Sequence, residues 1–147
     1  MNIIRATSIE EVLDCIPIEI EIRKKEDEYI KLKDMLAFLE SQISQPYLGF
    51  YIAYEEEKII GFLVLFYVPL RGFEQIQIMR VWYDHHYKEV IKEFENIIRQ
   101  WKRETKAPRV TVEMEARRKG KSNMGRIKAF KKKWGFSLRT IVLERRK

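Results

Sequence analysis

The sequence predicts an α/β fold: a single domain, residues 1–147, with a mixed, mostly antiparallel sheet flanked by about four helices. Three observations carry that expectation. Two β-branched and aromatic runs, Leu48 to Tyr54 and Ile59 to Val68, flank the polar Glu55-Glu56-Glu57-Lys58, the pattern of a hairpin. Tyr87, Val90, Ile91, Phe94, Ile97, Ile98 and Trp101 recur at helical spacing and close before Pro108. Arg109 to Ala116 then alternates Val110, Val112 and Met114 with Thr111, Glu113 and Glu115, which completes a β-α-β unit.

The remaining elements follow in order. Ile3 to Ala6 reads as a short strand, and Ser8 with Glu11 three residues on is the capping-box start of a helix whose stripe is Ile9, Val12, Leu13 and Ile16. Pro17 is expected to end it, and Ile18, Ile20 and Ile22, alternating with charges, fit a strand or an irregular segment. A second helix is expected from Glu26 to Ile43 on the stripe Tyr29, Leu32, Leu36, Leu39 and Ile43. Pro69 to Gly72 breaks the hairpin's second strand, and Glu74 to Tyr83 supplies a third, with Ile76, Ile78 and Arg80 opposing Gln77, Met79 and Val81. Ile127, Phe130 and Trp134 mark a fourth helix, Gly135 its left-handed end, and Leu138 to Leu143 a last strand.

A chain of 147 residues and 17.8 kDa suits one domain. With 46% hydrophobic and 35% charged residues it is too apolar for a disordered chain and too charged for a membrane span. The uncharged apolar run Ile59 to Leu70 falls short of the roughly 18 apolar residues a spanning helix needs. Met1 to Ala6 lacks the basic region and apolar stretch of a secretory signal, so the expectation is a cytoplasmic protein. The one cysteine, Cys15, can form neither an internal disulfide nor a cysteine pair for a metal, and reads as a small buried apolar side chain.

The net charge of +7 conceals a polarity. Residues 99–147 carry 18 Lys and Arg against 4 Asp and Glu, whereas residues 1–98 carry 11 against 18. Arg117, Arg118, Lys119 and Lys121, followed by Arg126, Lys128, Lys131, Lys132 and Lys133, form a patch suited to phosphates or to nucleic acid, with Trp82, Tyr83 and Tyr87 as candidate stacking partners or core residues. Glu113 and Glu115 share one strand face, as a base, a divalent-ion pair or a solvated surface. Asp84-His85-His86 reads as a polar loop rather than a metal site, because adjacent histidines in a strand point apart. No metal is expected.

Several local patterns, in this order and spacing, resemble the GNAT superfamily of acetyl-CoA-dependent N-acetyltransferases across almost the whole chain. Ala53 to Phe62 looks like that family's hairpin, with a polar turn before two apolar residues and Gly. Val81, His86, Val90, Phe94 and Ile98 match its coenzyme-holding strand-loop-helix without a gap, and Phe130 to Phe136 is similar to its C-terminal Gly-Phe segment. The resemblance implies acetyl-CoA as cofactor and direct attack of a primary amine on the acetyl thioester, without a covalent enzyme intermediate. It implies coenzyme contacts from Met79, Val81, His86, Tyr87, Lys88, Glu89, Val90 and Ile91. A general base would come from Glu74 or Gln75, and a general acid from Lys131.

The departures have physical content. The family's pyrophosphate loop reads R/Q-x-x-G-x-G/A, where small residues let phosphate approach backbone N–H groups at a helix N-terminus. Here the segment is His86-Tyr87-Lys88-Glu89-Val90-Ile91, so both small positions are bulky and Glu89 brings a carboxylate to the helix start. Lys131 stands where the family has its proton-donating Tyr; it would serve only if Lys132 and Lys133 lowered its pKa, and otherwise forms a basic face. The alternative reading is a non-catalytic module of this fold that binds nucleic acid or an acidic protein through its basic C-terminal third.

Overall fold

The structure is a computed structural model that describes residues 1–25, 31–72, 74–112, 117–118 and 121–122. The expected fourth helix, the Gly135 turn and the final strand lie outside the described residues. The chain divides into two compact units, Met1–Glu113 and Met114–Lys147. In the first unit the order is β1 (Asn2–Arg5), α1 (Ile9–Leu13), α2 (Ile16–Lys25), α3 (Leu32–Gln42), β2 (Leu48–Glu55), β3 (Lys58–Val68), β4 (Gln75–Tyr83), α4 (Glu89–Thr105) and β5 (Arg109–Val112). The second unit contributes a ribbon of β6 (Arg117–Arg118) and β7 (Lys121–Ser122), with Arg118 opposite Lys121.

Strand order in the sheet equals chain order, β1-β2-β3-β4-β5. The first four strands are antiparallel neighbours, and β5 returns parallel to β4 after the α4 crossover. This is the mixed sheet that the hairpin and the β-α-β pattern predicted. The hairpin closes through Glu56 and Glu57, with Glu56 at φ 55°, between the paired Glu55 and Lys58.

Alternation along β2 and β3 divides the core between the two faces of the sheet. Phe50, Ile52, Phe62 and Val64 join Val12, Cys15, Leu39 and Ile43 under α1 and α3, and Ile18 and Ile22 of α2 pack on the same cluster. The opposite face receives α4, whose buried residues Val90, Phe94, Ile98 and Trp101 fall on one stripe. Each such side chain contributes roughly 1.5–3 kcal/mol on burial. Two glycines set how closely α4 sits. A Cβ at Gly61 would meet Val90 Cγ1 at 2.9 Å and Phe94 Cζ at 3.3 Å, and one at Gly49 would meet the Trp101 ring at 2.5 Å. Trp101 Nε1–H donates to the Tyr51 hydroxyl at 2.6 Å, and the Arg5 guanidinium lies 5.3 Å from the Trp101 ring centre.

Two expectations are corrected at the N-terminal helices. Pro17 does not end a helix; it is the second residue of α2, where the first-turn N–H it lacks would have had no helical acceptor. Ile18 to Ile22 is helical too, although its isoleucines alternate with charges at strand period. Ile18 and Ile22, four residues apart, reach the core, while Ile20 between them is exposed. The charges suit a helix because Arg23 Nε donates to Glu19 Oε1 at 3.1 Å and Lys24 Nζ to Glu21 Oε1 at 2.7 Å. At α1 the capping box is offset by one residue: the Glu11 carboxylate accepts the Thr7 N–H at 3.0 Å, and hydroxyls of Thr7 and Ser8 also donate to it. The long second helix is observed as α3 from Leu32; residues 26–30 of the expected span lie outside the described residues.

Candidate functional site

Strand β4 is irregular where the chemistry is expected. Its pairing with β3 runs from Gly61 opposite Tyr83 to Val64 opposite Arg80, and resumes with Leu65 opposite Ile78. Met79 is the extra residue of a bulge, and it is exposed. On its other edge β4 pairs with β5 only from Gln75 to Ile78. Beyond Ile78, among the described residues, no strand occupies that edge. Val81, opposite Leu63, follows the bulge on the α4 face. Gln75, the first residue of β4, is held in the ladder by Val68 and Arg109. Glu74 lies just before the strand, and its carboxylate accepts the Gly72 N–H at 3.1 Å.

β4 leads into a turn and then into α4. Asp84 organises that turn: its Oδ1 accepts the His86 N–H at 3.0 Å, its carbonyl accepts the Tyr87 N–H at 2.9 Å, and Lys58 Nζ lies 3.5 Å from Oδ2. His86 Nδ1 sits 2.8 Å from Oδ1. The His86 bonds, backbone first, with a smaller contribution from Lys58, pull the Asp84 carboxyl down to about 2. Ionised, Asp84 only accepts, so His86 Nδ1 is the donor in that contact. In the first turn Val90 N–H donates to the Tyr87 carbonyl at 3.1 Å and Ile91 N–H to the Lys88 carbonyl at 3.3 Å. Among the described residues no acceptor is found for the Lys88 and Glu89 N–H groups, which are the ones available to an anion.

The side chains expected on this loop have different fates. His86, Lys88 and Glu89 are exposed, Tyr87 and Ile91 are half-buried, and Val90 is in the core against Gly61. Asp84-His85-His86 follows the end of β4 as a turn, in keeping with the polar loop expected, but the reason given for it is corrected: outside a strand the two histidines do not point apart. Their rings lie 4.5 Å apart, and one ligand atom from each of the three residues falls within 4.8 Å of the others. Asp84 is already engaged by His86 and Lys58, and the positive end of α4 opposes a cation there. Lys131, Glu113, Glu115 and Lys119 lie outside the described residues, and only the backbone of Arg117, Arg118 and Lys121 is described.

Two features escaped sequence reasoning because they join distant segments. Glu19, at 4% exposure, is the buried charged residue of the described core. Arg80 Nε donates to its Oε2 at 3.0 Å and Arg80 Nη2 to its Oε1, which ties α2 to β4 one residue beyond the bulge. The second is a groove of about 460 Å³ on the α1–α3 face, lined by Asp14, Tyr54, Glu57, Lys58, Trp82 and Asp84 among others. Trp82 there packs on Phe62, with ring centres 5.7 Å apart.

Comparison with known proteins bears on the fold. No family model and no curated protein matches the sequence. Solved structures do match. A ribosomal-protein-alanine N-acetyltransferase from Brucella melitensis biovar Abortus superposes with a TM-score of 0.68 at 11% identity, over 99% of both chains. An aminoglycoside 6'-N-acetyltransferase from Acinetobacter haemolyticus gives 0.69 at 14%, over 100% of this chain and 98% of its own. A possible acetyltransferase from Clostridium difficile gives 0.73 at 10%, over 99% of this chain and 96% of its own. The fold is therefore that of the GNAT acetyltransferases. Among the described residues no helix is long and apolar enough to cross a membrane.

Proposed function

We propose that the protein is an N-acetyltransferase that moves an acetyl group from acetyl-CoA to a primary amine. The observation that carries the reading is the bulge at Met79, beyond which, among the described residues, no strand pairs with the outer edge of β4 as it runs toward the N-terminus of α4. On this reading backbone groups of that edge would meet an amide-containing chain, and the Lys88 and Glu89 N–H groups of α4 would meet a phosphate. On this reading Met79, Val81, His86, Tyr87, Lys88 and Glu89 would hold acetyl-CoA, and the group would supply an activated thioester when bound. Fit at the loop is partial. The Asp84 carboxylate already takes the His86 N–H, the Val90 and Ile91 N–H groups are used within the turn, and Glu89 adds negative charge at the helix start.

The expected consequence is weak coenzyme binding. Calorimetry at moderate salt should give a dissociation constant above the micromolar level, which corresponds to about −8.2 kcal/mol. The double variant Glu89→Gly/Ile91→Ala should bind more tightly, although Gly in a helix costs about 1 kcal/mol. If neither protein binds acetyl-CoA, the acetyltransferase reading fails.

A second reading is favoured by the β6–β7 ribbon, whose register sets cationic Arg118 opposite cationic Lys121. Like charges at directly opposed positions are unfavourable without an anion to share, which suits a nucleic-acid surface comprising Arg117, Arg118, Lys119 and Lys121.

A further inference from the structure

The bulge in β4 places its two residues against their polarity. Leu65 opposite Ile78 and Leu63 opposite Val81 fix its flanks on the α4 face, and between them two residues, Met79 and Arg80, face the single residue Val64. Such a bulge keeps one residue in the ladder and re-aims the other. Between a methionine and an arginine, the apolar side chain is the ordinary occupant of an interior. Here the arrangement is reversed. Arg80 takes the paired place opposite Val64, a member of the core cluster under α1 and α3, with its side chain only 13% exposed, while Met79 is turned out to solvent. Glu19 of α2 accounts for the reversal. Itself buried, its carboxylate accepts from Arg80 Nε at 3.0 Å and from Arg80 Nη2, a two-point contact that a methionine cannot make, and it also accepts from Arg23 Nε at 3.1 Å. A guanidinium facing the core is tolerated with partners of this kind, whereas a methionine needs none.

We propose that Glu19 is a positioning residue for acetyl-CoA: by drawing Arg80 inward it turns Met79 out, at the start of the stretch of β4 that no described strand pairs on its outer edge. Exchanging the two bulge residues would move the bulge by one position, and with it the backbone groups that would meet the coenzyme. The coenzyme half of the inference rests on the acetyltransferase reading; the selection of the outward residue by Glu19 does not.

The test is hydrogen peroxide oxidation of the full chain read by peptide mass mapping, since an exposed methionine becomes its sulfoxide faster than a buried one, with exposed Met1 as the internal reference. In the unaltered protein Met79 should oxidise at a rate comparable to that of Met1. In Glu19→Leu the two bulge residues should exchange, and oxidation of Met79, now facing inward, should slow roughly tenfold relative to Met1 because it waits on local opening. Glu19→Leu/Arg80→Ser removes the arginine as well and leaves Met79 the apolar residue of the bulge; it should behave alike, and it decides the matter if the single variant does not fold. Acetyl-CoA, titrated calorimetrically, should bind the variants about tenfold more weakly than the unaltered protein. Slow oxidation of Met79 in the unaltered protein, or an unchanged rate in a folded variant, would overturn the proposal. So would unchanged acetyl-CoA affinity in a variant whose Met79 has become protected. If the unaltered protein binds no acetyl-CoA, the acetyltransferase reading fails, and the peroxide comparison alone decides whether Glu19 selects the outward residue.

Discussion

Glu19 sits where an unpaired carboxylate would not be tolerated. Its burial between α2 and β4 is made possible by Arg80, reaching across 61 positions of sequence, and by Arg23 one helical turn away. A buried ion pair is weak evidence of net stabilisation, but removing one partner leaves the other desolvated. Arg80→Met should therefore cost about 3 kcal/mol in urea unfolding, and Glu19→Leu/Arg80→Met should recover most of that loss. Equal losses in both proteins would show that the pair is not what holds α2. Cys15 makes a second test at this scale. Burial first, then the Asp14 and Glu19 charges, push its thiol from 9.0 up to about 12. Because the folded value is raised, the stabilisation is complete below pH 9.0 and is lost as pH climbs toward about 12. The native protein should resist thiol reagents at pH 8 and react only at the rate of opening; fast stoichiometric labelling would contradict the burial.

At the scale of elements, α4 is the piece on which the candidate site depends, since its first turn follows the part of β4 that no described strand pairs on its outer edge. It terminates at Lys106, which has φ 57°, a left-handed conformation that glycine adopts without a Cβ clash. Lys106→Gly should raise thermal stability by about 1 kcal/mol, and a lowered melting temperature would mean that the lysine side chain contributes more than its backbone conformation costs. The sequence made α4 legible because its stripe is long and regular, and made β2, β3 and β4 legible because their apolar runs are bounded by turn residues. It misled at α2. There a strand-like alternation conceals a helix, and the partners Arg80 and Arg23 explain why Glu19 can face inward. The loop before α4 was located by its match to a family pattern. Its internal bonding was hidden, because Asp84 binding the His86 N–H is a property of the turn's shape and not of residue type. The groove was illegible for a simpler reason: Asp14, Glu57 and Asp84 are remote in sequence.

For the molecule as a whole, charge is divided along the chain: residues 1–98 carry 11 cationic against 18 anionic side chains, and residues 99–147 carry 18 against 4. A polyanion is expected to prefer the basic third whatever its identity, so affinity alone says little. The slope of log affinity against log salt discriminates. A dedicated duplex-DNA surface using several of Arg117, Arg118, Lys119, Lys121, Lys128 and Lys132 should give about 0.9 per phosphate contact, and alanine at each should lower the slope. A slope near one or two that alanine leaves unchanged would reduce the patch to diffuse attraction. The sheet also keeps two of the three tryptophans apart: Trp101 is buried under α4, bonded to Tyr51, while Trp82 is half-buried on the opposite face among the residues of the groove. The two indoles should fluoresce differently, Trp101 blue-shifted and shielded from acrylamide, Trp82 redder and quenched. In a Trp134→Phe background, emission can then follow undocking of α4 and unpacking of the α1–α3 face as two separate colours of one unlabelled protein.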